Sequence, residues 1–151
     1  MIELLMNSPR ARAIGGLGKV LEIGTGCGYQ AAVLACLATQ VVSVERVKAL
    51  HDKARELLSQ QHQGAIRLVY GDGMLGHVPN APYDSIISAA GGEALPDAWL
   101  AQLALGGRLV APVEMGLSRQ ALVVVDRTEN GIERHVFETV QFVPLKSGMV
   151  R

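Results

Sequence analysis

A chain of 151 residues is the size of one domain and too short for two ordinary ones. At 49% hydrophobic and 19% charged, it has apolar material for a real core and too little charge for a disordered tail. Fourteen basic against fourteen acidic residues give zero net charge, which argues against an electrostatic grip on nucleic acid or an anionic membrane, and the sequence predicts neither a membrane span nor a secretory signal.

In chain order, Met1-Ile-Glu-Leu-Leu-Met6 is already an apolar helical pattern with no cap or polar lead-in, which fits either a frayed first turn or a chain that begins inside a longer fold. Lys19–Ile23 reads as a short strand stopping at Gly24, and residues 28–38 as an Ala-rich apolar helix. Residues 41–45 form a second strand ended by an acid. From 47 to 62, Val47, Leu50, Ala54, Leu57 and Leu58 recur at helical spacing, and Gly64 closes that helix. Ile66–Tyr70 is a third strand, ending in Gly71-Asp-Gly73.

Pro79, Asn80 and Pro82 punctuate the next loop. Residues 84–88 are a fourth strand. Pro96 opens a helix of about two turns through Leu105, which Gly106-Gly107 ends. Residues 108–113 are a fifth strand. Residues 120–126 and 132–143 flank Asn130-Gly131, a positive-φ pair that predicts a hairpin of antiparallel strands. Strands alternating with helices, then a hairpin, predict one α/β domain over 1–151 with a mostly parallel sheet and helices on both faces.

Chemistry concentrates between the first strand and the first helix, at Glu22-Ile-Gly-Thr-Gly-Cys-Gly28. Glycines at alternate positions let backbone pass close to a ligand and turn sharply into the helix. The third glycine comes one residue early for a dinucleotide fingerprint, with Tyr at 29, and the Gly-Lys-Ser/Thr of a Walker loop is absent. A ligand without phosphates fits better. Glu45 ends the second strand where doubly wound folds place an acid on ribose hydroxyls, and Asp72 is a second acid on the same carboxyl edge. A ligand with a ribose diol, an adenine and an amino-acid tail suits this set, which describes S-adenosylmethionine.

Val20-Leu-Glu-Ile-Gly-Thr-Gly-Cys-Gly-Tyr-Gln-Ala-Ala32 resembles the first motif of the protein-L-isoaspartate O-methyltransferases, class I enzymes that use S-adenosylmethionine. The resemblance continues through Val42-Ser-Val-Glu-Arg46, Gly71-Asp-Gly73, Ala81-Pro-Tyr-Asp-Ser-Ile-Ile87 and Leu103-Ala-Leu-Gly-Gly-Arg-Leu-Val110 to Phe142-Val-Pro-Leu145. It implies a Rossmann-like, seven-stranded sheet whose last strand enters antiparallel. It also implies methyl transfer to the α-carboxylate of L-isoaspartyl residues in damaged proteins. Gly24, Thr25, Gly26 and Gly28 would approach the methionine part of the cofactor, Glu45 the ribose diol with Arg46 beside it, and Asp72 and Gly73 the adenine. Glu22 completes the implied cofactor-binding set, and Phe142 to Leu145 would wall the substrate peptide.

Family members carry an upstream Ile-Ser-Gln-Pro-like motif whose serine is the assigned active-site residue. Nothing in residues 1–19 corresponds to it, and Met1-Ile-Glu-Leu-Leu5 resembles the helix that follows it. The expectation is therefore a domain shortened at its N-terminus, with no catalytic residue assigned. The alternative is a module that binds S-adenosylmethionine without turnover. Cys27 stands where the family commonly has Ser, a packing difference. Placed on one helix, Cys27 and Cys36 would lie ~13 Å apart, too far to bridge, and free thiols fit a reducing cytoplasm. The four histidines give no metal pattern, His51 and His62 being ~16 Å apart along one helix and His77 and His135 lone. The expected partners are isoaspartyl-containing proteins and peptides, with no nucleic acid, no membrane and a monomeric state.

Overall fold

The computed structural model describes residues 1–59 and 65–151. Its centre is a run of short apolar strands: β1 (Lys19–Ile23), β2 (Gln40–Glu45), β3 (Ile66–Tyr70) and β4 (Tyr83–Ser88). These pair in parallel, and with β6 (Leu103–Glu114), β7 (Gln120–Thr128) and β8 (Gly131–Val140) they make a seven-stranded sheet of order β3-β2-β1-β4-β6-β7-β8. β7 runs antiparallel to β6, and β8 antiparallel to β7. The strand that enters against the others is thus β7, and the last strand returns in the direction of β6. A separate two-stranded ladder joins β5 (Ala90–Gly91) to β9 (Val143–Pro144).

Both faces of the central strands are buried, so their side chains divide by strand parity between two cores. Leu21, Ile23, Val42, Val44 and Ile86 pack with Trp99 of α5 (Asp97–Gln102). On the other face Val20, Val41, Ile87 and Val110 pack with Leu5 of α1 (Ile2–Met6), Ala11 of α2 (Pro9–Ile14) and Leu34 of α3 (Tyr29–Ala35). α4 (Lys48–Leu58) adds Ala54 and Leu58 against Ala31 of α3. A side chain of this size contributes about 1.5–3 kcal/mol when fully removed from water, and Leu5, Val20, Leu21, Leu34, Ile86 and Ile87 are all at 0% exposure.

The apolar pattern at the N-terminus does form a helix. α1 has no side-chain cap, but Leu5 is buried and the carbonyl of Leu4 accepts a bond from Arg108 at 2.9 Å. α2 has no counterpart in the sequence reading, although Ser8 caps it, Pro9 begins it and left-handed Gly15 ends it. Arg10 on α2 reaches Asp84 at 2.6 Å, and the same carboxylate accepts the backbone N–H of Lys19.

Three expected boundaries shift. The helix expected over 28–38 is α3, which starts only after left-handed Gly28 and stops at Cys36. Cys27 therefore lies in the preceding loop, not on a helix shared with Cys36, and both thiols are free and exposed. The helix expected through Leu105 ends at Gln102, because β6 begins at Leu103 to pair with Tyr83. Residues 104–107 then bulge opposite Asp84, so Gly106-Gly107 lie inside a strand. At the hairpin, Thr128 pairs with Gly131, and the positive φ falls on Gly131 (119°), not on Asn130. The run expected over 132–143 divides into β8 and β9. Gly64 and the 60–62 end of the helix expected over 47–62, with His62, lie outside the described residues.

Among the described residues, no helix is long and apolar enough to cross a membrane, and no group of three or more His, Cys, Asp or Glu could hold a metal ion.

Candidate functional site

The site forms at the carboxyl ends of β1, β2 and β4, where an open α/β sheet leaves a crevice. The backbone after β1 is pinned at its base, with Gly24 N–H on the Val44 carbonyl and Ala89 N–H on the Ile23 carbonyl, both at 2.9 Å. Gly28 (φ 85°) then turns the chain into α3, and a Cβ there would lie 2.8 Å from Leu58 of α4. Gly26 (φ 56°) differs. A Cβ built on it meets nothing within 4 Å, so its bareness leaves open space on the loop instead of room for a neighbour.

That space belongs to a cavity of about 390 Å³, within the ~300–1,000 Å³ range of small-molecule sites. Ile23, Gly24 and Gly26 form one side, Glu45, Arg46, Val47 and Leu50 a second, and Gly73, Ala89 and Ala90 a third, with Val143 to Lys146 closing across. Larger depressions of about 600 and 700 Å³ lie beside Leu105 and Ile132 and beside Leu117 and Gln141; they are more open and have no glycine loop.

Two carboxylates support the loop in different ways. Glu45 is 5% exposed, and its oxygens accept the backbone N–H of Gly26 at 3.0 Å and of Val47 at 2.9 Å. A carboxylate has about four acceptor positions, so Glu45, which lines the cavity, keeps two unused. Glu22 is fully buried beneath the loop, one strand over and in register with Ser43. It accepts bonds from Gln30 Nε2 at 2.9 Å and Ser43 Oγ at 2.5 Å, and Ser43 Oγ lies 2.6 Å from the hydroxyl of Thr25. Burial pushes the Glu22 carboxyl up to about 7; the bonds from Ser43 and Gln30 pull it down, and the nearby Glu45 charge raises it.

Of the residues singled out from the sequence, Gly24, Gly26, Glu45, Arg46 and Gly73 line the cavity. Glu22, Thr25, Gly28 and Asp72 do not. Thr25 turns inward to Ser43, and Gly28 serves the turn into α3. Asp72 spends one oxygen on Met74 N–H at 2.9 Å and the other on Gly148 N–H at 2.6 Å. Gly73 is backed by the indole of Trp99, whose Nε1 donates to the Gly73 carbonyl at 2.8 Å. Val143 to Leu145, which the resemblance sets beside the substrate peptide, line this same cavity. Phe142 itself is held aside, its N–H and carbonyl both bonded by the Gln120 amide. Ser43, Gln30 and the Ala89-Ala90 wall were missed. The signal for Ser43 lies only in its pairing opposite Glu22.

A family model described as protein-L-isoaspartate(D-aspartate) O-methyltransferase matches residues 10–150. The chain belongs to this family. A protein-L-isoaspartate O-methyltransferase of Leptothrix cholodnii is 59% identical over 98% of the chain and 52% of its own length, and one of Methylibium petroleiphilum is 57% identical over 98% and 55%. The chain thus spans about half the length of these protein-L-isoaspartate O-methyltransferases. A solved structure of the same name superposes with a TM-score of 0.83 at 28% identity, over 99% of this chain and 47% of its own. A Plasmodium falciparum structure, described as a beta-aspartate methyltransferase in complex with S-adenosyl-L-homocysteine, gives a TM-score of 0.76 at 22% identity, over 97% and 73%.

Proposed function

We propose that residues 1–151 are one methyltransferase domain that holds S-adenosylmethionine in the cavity and methylates the α-carboxylate of L-isoaspartyl residues in proteins and peptides. The observation that carries this reading is the pairing of Glu45, with acceptor positions left over, and the unobstructed backbone of Gly26 on one cavity wall. The names of the family and of its relatives give the reaction, and the S-adenosylhomocysteine of the Plasmodium structure supports the ligand class.

Glu45 would accept from the ribose hydroxyls while still holding Gly26 and Val47. The Gly24–Gly26 backbone would lie along the amino-acid tail, and Gly73, with Ala89 and Ala90, would flank the base. When bound, the cofactor supplies an electrophilic methyl group on a sulfonium. A substrate carboxylate with an ordinary pKa of ~3.5 to 4 is ionised at neutral pH and attacks without a general base. What remains for the chain is placement and exclusion of water, where effective molarity contributes about 7–11 kcal/mol. The apolar side chains of Ile23, Val143 and Leu145 on the cavity wall serve that exclusion.

The reading includes a monomer in a reducing cytoplasm acting on proteins and not on nucleic acid. Two free, exposed thiols and a balanced charge support it. The test is calorimetry with S-adenosylhomocysteine together with radiolabelled methyl transfer to an isoaspartyl peptide and to its normal-aspartyl twin. Binding with transfer to the first peptide alone is expected. Binding without transfer would select a cofactor-holding module, and no binding would end the reading.

A further inference from the structure

The chain does not leave the molecule after β9. It runs from the β5 side of the cavity to the Arg46–Val47 side and ties itself there. On one side the Leu145 N–H bonds the Gly91 carbonyl at 2.7 Å. On the other, Arg46 donates to the carbonyls of Gly148 (2.9 Å) and Ser147 (3.2 Å), and Gly148 N–H donates to Asp72 at 2.6 Å. Val150 then bridges to Val47 in parallel register, its N–H on the Arg46 carbonyl and its own carbonyl accepting from Lys48 N–H, both at 2.8 Å. Between these anchors, Leu145 and Lys146 form cavity wall.

The crossing is held by polar bonds and hardly at all by burial. Met149 is 58% exposed and Val150 41%. A segment with several exposed hydrogen bonds and little buried apolar surface opens locally at low cost while the core stays folded. Its bend depends on Gly148, whose φ of 76° suits glycine.

We infer that residues 146–150 are a strap over the cavity, latched by Asp72 and Arg46, and that a nucleoside ligand enters and leaves only when the strap lifts. This rests on the cofactor reading above. It assigns Asp72 and Arg46 a positioning role exercised through the strap, because Asp72 holds Gly148 without lining the cavity and two donors of Arg46 hold Ser147 and Gly148. Ligand exchange is then slowed by the fraction of time the latch is closed.

The experiment is stopped-flow binding of S-adenosylhomocysteine, with calorimetry alongside, to the parent chain, to a chain ending at Lys146, and to Gly148→Pro. The proline removes the N–H that Asp72 accepts and forbids the bend, without altering a residue that lines the cavity. Association and dissociation rates are both expected to rise about tenfold or more in the two variants, with a much smaller change in Kd. Rates equal to those of the parent in a variant that still binds would overturn the strap while leaving the cofactor reading intact. Absence of binding to the parent itself would overturn both.

Discussion

The ends of β1 and β2 lie side by side beneath the same glycine loop, and each carries a glutamate, yet the two have been given opposite environments. Glu22 on β1 is sealed from water and satisfied by side chains, Gln30 on one oxygen and Ser43 on the other. Glu45 on β2 is satisfied by backbone N–H groups and faces a cavity. Burial without a cation raises the Glu22 carboxyl to about 7, so near neutral pH it is part acid and part carboxylate. The lesson is that an acid in a glycine-rich motif need not line the cavity beside it. Glu22 builds the floor that fixes Thr25 through Ser43, whereas Glu45 shapes the loop, lines the cavity and keeps acceptor capacity unused.

The largest test of this contrast is Glu22→Gln, which keeps the shape and removes the ionisation. A folded-state pKa above the unfolded one means that Glu22 contributes its stability in full below about pH 4.5 and loses it as pH rises through about 7. Relative to the parent, the glutamine variant should therefore gain stability across that window, by at most ~3 kcal/mol, read by urea unfolding at pH 5 and pH 8. A pH-independent difference would mean that Glu22 is not titrating in the fold.

Glu45→Ala should act on binding instead. Losing charge-assisted bonds to a diol costs about 1.5–3 kcal/mol, or roughly 10- to 150-fold in S-adenosylhomocysteine affinity by calorimetry. Unchanged affinity would break the assigned role. Ser43→Ala removes the link between the two layers and leaves Glu22 short of a donor, so a loss of about 1–2 kcal/mol in unfolding stability is expected, with the affinity change smaller than that of Glu45→Ala. Gln30→Ala, at the more solvent-exposed end of the same network, should cost about 0.5–1.5 kcal/mol in the same assay.

Much of the frame is readable in the chain because the information is local. Short apolar strands ending in glycine or an acid, at Ile23, Glu45 and Tyr70, mark the sheet edge where the cavity forms. α2 escapes notice for the opposite reason: Pro9–Ile14 offers a single buried residue, Ala11, so no apolar stripe accompanies its good caps. Gly106-Gly107 reads as a helix stop because only pairing of β6 with β4 shows that it bulges inside a strand. The site follows the same division. Gly26 and Glu45 announce themselves by spacing, while Ser43 opposite Glu22, and Gly148 upon Asp72, are contacts across strands or across 76 residues that no local pattern encodes.

The bond from Trp99 to the Gly73 carbonyl has a practical use. The chain contains one tryptophan, 1% exposed, with its indole fixed against a residue of the cavity wall. Its emission is a built-in gauge for that corner of the molecule: under the proposed reading, a ligand settling beside Gly73 would change the polarity felt through that bond, so occupancy could be followed optically on unlabelled material, with no second indole to dilute the signal.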